Sequence, residues 1–154
     1  MKFRFQGLSV EPFRPLFELR DEELAARGMR RMIADAKPGF PCRVTLEDAQ
    51  PGERVLLVNY EHQPAHSPYR STGPIFVRET AGQAYNGTDV PPVLAGRLLS
   101  LRAYDGDGMM VEADVVQGEE AEGALARLFA REDAAVVHIH NAKRGCYSCS
   151  VRRA

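Results

Sequence analysis

Prolines at positions 38, 41, 51, 64, 68, 74, 91 and 92 run through the middle of this 154-residue chain and forbid any long helix there. An interior proline removes one helix hydrogen bond and clashes with the preceding turn. What remains between the prolines and glycines are short alternating or apolar runs, the pattern of strands joined by turns. Phe3 and Phe5 alternate with Lys2, Arg4 and Gln6, as in a half-buried strand. Arg30-Arg31-Met32-Ile33 and Cys42 to Leu46 read as further short strands, and Glu53 to Tyr60 follows a Pro51-Gly52 turn. A strand begins at Ile75-Phe76-Val77 after a polar loop over residues 61–73. Leu94 to Tyr104 and Met109 to Val116 flank Asp105-Gly106-Asp107-Gly108, a strong hairpin signal.

Helical spacing survives in two places. Asp21 suits the N-cap of a short helix over Glu22 to Arg27, which Gly28 ends. Glu119 to Arg131 places Ala121, Ala124, Leu125, Leu128 and Phe129 on one face, with Glu119 and Glu120 favourable in the first turn. Ala134 to His140 is apolar enough for an interior strand, residues 141–145 turn, and Cys146 to Arg152 returns. Strand, helix and strand form a crossover, which makes its two strands parallel. The expectation is one α+β domain over residues 1–154: a mostly antiparallel sheet of about seven strands, two helices, and a C-terminal β-α-β unit followed by a hairpin.

Twenty Lys and Arg against twenty-one Asp and Glu give a net charge of −1, which speaks against a strongly basic nucleic-acid binder. The run Val55-Leu56-Leu57-Val58 is far below the roughly 20 apolar residues of a membrane span. Charge within Met1 to Gly7 does not suit a signal peptide, and three cysteines are too few and too odd for a disulfide scaffold. The expected location is the cytoplasm, with a small molecule as the expected partner class, and neither membrane nor nucleic acid. The sequence does not define an oligomeric state.

The last hairpin holds the densest chemistry. With residues 141–145 as the loop, His140 is expected opposite Cys146, His138 opposite Ser148, and Cys149 opposite Val137 on the other side. His138 and His140 share a face whatever the register, because strand side chains alternate. Two imidazoles and a thiol on one surface suit either Zn²⁺ or a thiolate–imidazolium pair. Cys146-Tyr147-Ser148-Cys149 is a C-x-x-C, yet too little chain follows it for the helix a redox pair needs. His62, His66, Tyr69 and Arg70 in the 61–73 loop form a second candidate set, suited to an anionic or planar ligand. Pro64 between the two histidines, with no Glu after the first, rules out a helical zinc-protease motif. Lys143, Arg144, Arg152 and Arg153 make the C-terminal end basic, which reads as a charge-protected strand edge.

Pro41-Cys42-Arg43, Gly52-Glu53-Arg54-Val55-Leu56-Leu57, Gly73-Pro74-Ile75-Phe76-Val77, Arg102-Ala103-Tyr104-Asp105, His138-Ile139-His140-Asn141-Ala142 and Gly145-Cys146-Tyr147-Ser148-Cys149 follow one another in order. Together they resemble the bacterial domain-of-unknown-function family 1203 over roughly residues 40–152. The resemblance implies a bacterial single-domain protein and no particular reaction. Many members of that family follow Gly-Pro-Ile-Phe with a His and then a Cys, where this chain has Arg78 and Gly82 nearby.

Three readings compete. The first is a ligand-binding or non-catalytic domain, without a cofactor, whose pocket lies between the 61–73 loop and the last hairpin, with His62, His66, Tyr69, Arg70 and His138 as contacts. The second is a zinc protein using Cys42, His138, His140 and Cys146. The third is a thiol enzyme with Cys146 as nucleophile and His140 as base.

Overall fold

A computed structural model describes residues 1–154. Two helices and nine strands form two antiparallel sheets, an α+β arrangement. The strands are β1 (Phe3–Gln6), β2 (Arg30–Ile33), β3 (Arg54–Gln63), β4 (Ser71–Arg78), β5 (Asn86–Gly87), β6 (Leu98–Tyr104), β7 (Met110–Gln117), β8 (Val136–Asn141) and β9 (Tyr147–Arg153). The helices are α1 (Asp21–Ala26) and α2 (Ala121–Phe129). The larger sheet has the order β5-β1-β9-β8-β6-β7, and the smaller one β2-β3-β4.

Alternation along the central strands divides the molecule. Leu99, Leu101 and Ala103 of β6, Val137 and Ile139 of β8, and Cys149 and Val151 of β9 pack with α2 and with Phe3 and Phe5 of β1 in the larger core. The apolar face of α2 supplies Ala121, Ala124, Leu125, Leu128 and Phe129, and each fully buried Leu or Phe contributes about 1.5–3 kcal/mol. The intervening residues Arg102, Tyr104, His138 and His140 must then project from the other face. A second core joins Leu56 and Val58 of β3 and Ile75 and Val77 of β4 to Val10, Phe13, Leu24, Cys42 and Val44.

The crossover has the expected sense with one refinement. β7 and β8 are each antiparallel to β6, so they run parallel to each other with β6 between them. Three expectations are corrected. Cys42 to Leu46 is a turn-rich segment and not a strand; it joins the smaller sheet through a bridge to Phe76, with Arg43 N–H donating to Phe76 O at 3.0 Å. The polar loop is shorter than residues 61–73, because β3 runs on to Gln63 and β4 starts at Ser71, so His62 is a strand residue. The last hairpin has a different register: His138 faces Ser150, Ile139 faces Cys149, and His140 faces Tyr147, with an irregularity between Ile139 and His140. A bulge inserts one residue on one strand, which moves every pairing beyond it. The turn itself is one residue tighter than expected, with the Asn141 N–H donating to Cys146 O, so Tyr147 takes the place opposite His140 expected for Cys146; the bulge beyond it sets Cys149 opposite Ile139 on the α2 side.

Candidate metal centre

The far end of β3 reaches across the polar face of the larger sheet and brings His62 against β8. Nitrogens of His62, His138 and His140 all lie within 4.8 Å of one another. The His62 and His140 rings meet edge to face at 4.8 Å between centroids, and His62 and His138 at 6.5 Å. Tyr147 stacks on His62 at 5.6 Å and presents its face or edge to both other imidazoles, while Tyr104 closes the side of His138 at 5.0 Å.

Hydrogen bonding shows what this cluster lacks. Four buried side-chain polar atoms in the chain have no partner: His62 Nδ1, His138 Nδ1, His140 Nε2 and Asn141 Oδ1. Three of the four belong to this one cluster. A buried, unpartnered polar atom costs about 1–3 kcal/mol, so three in one place need an explanation. His140 Nδ1 lies 2.9 Å from Gly145 O. A carbonyl can only accept, so Nδ1–H donates and Nε2 carries a free lone pair. That is how metal-ligating histidines are oriented, the outer nitrogen tied to a backbone carbonyl and the inner one free. His62 Nε2 lies 3.4 Å from Ser71 Oγ, and its Nδ1 has no partner.

Electrostatics keep the lone pairs available. Burial, aided by the charges of the neighbouring imidazole and of Arg152 and Arg102, brings His138 down to about 4. Burial brings His140 down to about 3, against the upward pull of its bond to Gly145. His62 is also lowered, by burial first and then by Arg102. Neutral imidazole is the ligating form, so all three are poised to bind at neutral pH. Tetrahedral Zn²⁺ with bonds of about 2.0–2.1 Å would draw the nitrogens to about 3.4 Å apart.

A cavity of about 390 Å³ opens beside the cluster, lined by His62 to Ala65, Tyr104 to Gly106, His138 and Arg152 among others. It lies between the end of β3 and the strands β8 and β9. The other expected site residues fall elsewhere. His66 is exposed on the loop, Arg70 pairs with Glu61 at 3.1 Å, and Tyr69 meets Tyr104 at 6.2 Å on the outside of the cluster. Cys42 is fully buried and accepts the Arg78 N–H on its Sγ at 3.4 Å. Cys146 is part-exposed on the 141–146 turn, lines a different cavity, and makes no hydrogen bond with His140. Of the four residues expected to hold zinc, the structure thus groups His138 and His140 and leaves both cysteines out. His62, expected as a contact in a loop pocket, joins them instead.

Sequence reasoning passed over Tyr104, Tyr147 and Arg43. Alternation puts Tyr147 opposite His140 only once the register set at the 141–146 turn is known. Nothing in the sequence marks Arg43 as a buried cation.

What fold and site define is a two-sheet α+β protein with a buried three-histidine cluster, two of whose imidazoles line a cavity. The chain belongs to a family described as Protein of unknown function (DUF1203), whose model matches residues 39–153. That range includes all three histidines and both sheets' central strands. No curated protein and no solved structure matches the chain. No helix is long and apolar enough to cross a membrane.

Proposed function

We propose that this protein binds one transition-metal ion of the zinc class through His62, His138 and His140. The observation that carries the reading is the gathering of three imidazoles, each with a buried ring nitrogen that lacks a hydrogen-bond partner, one of them with its other N–H fixed by a backbone carbonyl. Three imidazoles leave an open coordination position, which characterises metal sites that polarise a water or a substrate oxygen. The neighbouring cavity, which His62 and His138 line, is the route by which a small molecule would reach that position.

Metal titration of the purified protein tests it. Co²⁺ should bind at one equivalent with the visible spectrum of a nitrogen-ligated tetrahedral or five-coordinate ion, and Zn²⁺ should displace it. His140→Ala and His62→Ala should each weaken binding by at least about 100-fold, beyond the 10–100-fold typical of outer-shell changes. His66→Ala and Cys146→Ser should leave it unchanged. Absence of stoichiometric binding, or equal losses in the His66 or Cys146 variants, would overturn the assignment.

A further inference from the structure

The second chemically loaded place in the molecule lies on the other side of Tyr147 from the histidines. Arg43 is 2% exposed, yet no carboxylate pairs with it. Its Nε–H donates to Tyr147 O at 2.7 Å, and another of its N–H groups donates to Pro41 O. Both acceptors are neutral carbonyls, and the other groups that favour the charged guanidinium are the thiols of Cys146 and Cys42, so no carboxylate balances its charge. Burial is the main influence on this guanidinium and pulls its pKa down, against smaller upward pulls from Cys146 and Cys42. A buried, unpaired ion costs several kcal/mol and is retained where something balances it.

Arg43 borders a cavity of about 460 Å³. The cavity wall also carries Arg97, Lys143 and Arg144, and no carboxylate. Arg97 is satisfied by Asp48 through two bonds of 2.8 and 3.0 Å, whereas Lys143 and Arg144 make no ion pair. Three cations without a carboxylate partner therefore border one concavity. Its floor is apolar, with Phe40 and Phe76 packed at 5.1 Å. Asn141, on the same wall, holds one of the chain's four unpartnered buried atoms.

We propose that this cavity binds a small organic anion, a carboxylate or phosphate monoester on an apolar body, with Arg43, Lys143 and Arg144 holding the acid group. Guanidinium offers paired donors matched to both acids, and ammonium adds charge at the rim. The apolar body lies on Phe40 and Phe76, and a hydroxyl beside the acid group would satisfy Asn141. The size and the mixture of apolar floor with a few polar anchors are those of small-molecule sites. This site is independent of the histidine cluster, because it uses none of its residues.

Phenyl phosphate, benzoate and neutral benzyl alcohol are the probes. Binding is followed by amide chemical-shift changes and by protection of the part-exposed Cys146, which lines the cavity, against iodoacetamide. At least one of the two anions should bind saturably in the millimolar range or tighter, shift residues 141–146 and protect Cys146, and weaken as salt rises. The stronger of the two identifies the acid group. Lys143→Gln with Arg144→Gln, a surface double variant, should weaken the anion at least fivefold, and Arg43→Met should remove its binding. Failure of both anions to bind, equal binding of benzyl alcohol, or an unchanged affinity in the double variant would overturn the proposal, whether or not Arg43→Met folds.

Discussion

Replacing Glu53 by Gln should destabilise the fold by about 2 kcal/mol at pH 7 and by distinctly less at pH 4. Glu53 closes the turn before β3, and its carboxylate gathers four donors. Arg78 of β4 donates through Nε at 2.9 Å and Nη2 at 2.8 Å, Thr80 Oγ1 donates at 2.8 Å, and the Gln50 N–H donates to Oε2. Burial alone would raise this carboxyl, but those donors overcome it and bring it down to about 2. The ordinary value is 4.5. A depression of that size corresponds to about 3 kcal/mol at most. The pair retains some solvent, with Glu53 and Arg78 side chains 15% and 14% exposed, so about 2 kcal/mol is the expected net loss.

The sign follows from the direction of the shift. A lowered carboxyl stabilises the folded state fully above its unfolded value and loses that contribution as pH falls from 4.5 towards about 2. Wild type therefore sheds part of this stability by pH 4, about 0.8 kcal/mol, while the Gln variant has none to shed. Urea unfolding of both proteins at pH 7 and pH 4 measures the gap directly, provided the m-values agree. A gap under about 0.5 kcal/mol at pH 7, or one that does not narrow at pH 4, would refute the assignment of Glu53 and Arg78 as the clamp between the two strands.

Two further outcomes are expected. A Cβ at Gly118 would stand 1.9 Å from Leu94 O and 2.8 Å from Leu94 C, both backbone, so Gly118→Ala should lower stability by about 2 kcal/mol or more in a thermal melt. In the folded protein only Cys146 should react with a thiol reagent at pH 8: Cys42 and Cys149 are 0% exposed, and burial raises Cys149 to about 12. A second thiol titrating without denaturant would contradict the packing around α2 or the turn at Cys42.

The architecture was legible because its signals are local. Pro and Gly punctuation marked the strands, and the spacing of Ala121, Leu125 and Phe129 marked α2. The shared face of His138 and His140 was legible for the same reason, since strand alternation needs only sequence neighbours. His62 could not be placed among them, because its position depends on how β3 crosses the larger sheet, a contact between residues 76 and 78 positions apart. The cysteines misled by proximity in sequence. A turn one residue tighter than residues 141–145 pairs His140 with Tyr147 and takes Cys146 off the histidine face, and a bulge near Ser148 then turns Cys149 to the core side; neither leaves a reliable trace in composition. Arg43 was invisible for a further reason: an arginine in a turn is ordinarily solvated, and only the finished packing shows it enclosed.

The turn from Asn141 to Cys146 links the two places where chemistry can occur, and it yields a discriminating expectation. Gly145 takes a positive φ of 81°, which a glycine adopts without strain, and its N–H donates to Asn141 O at 2.7 Å. That tight closure aims the Gly145 carbonyl at His140 Nδ1, 2.9 Å away. The metal-free protein should therefore hold His140 as the Nδ1–H tautomer, with Nε2 bare. Tautomer is read from the two ring nitrogen shifts in a long-range ¹H–¹⁵N correlation, without any metal present. Free histidine favours the opposite tautomer, so the carbonyl must supply the preference. Substituting Gly145 by Ala strains the left-handed turn and should loosen that bond, returning His140 towards the Nε2–H form and weakening Co²⁺ binding together with it. An Nε2–H tautomer in the wild-type protein would mean that the inner nitrogen carries a proton where a ligand's lone pair is required, and the three-histidine centre would then be packing alone.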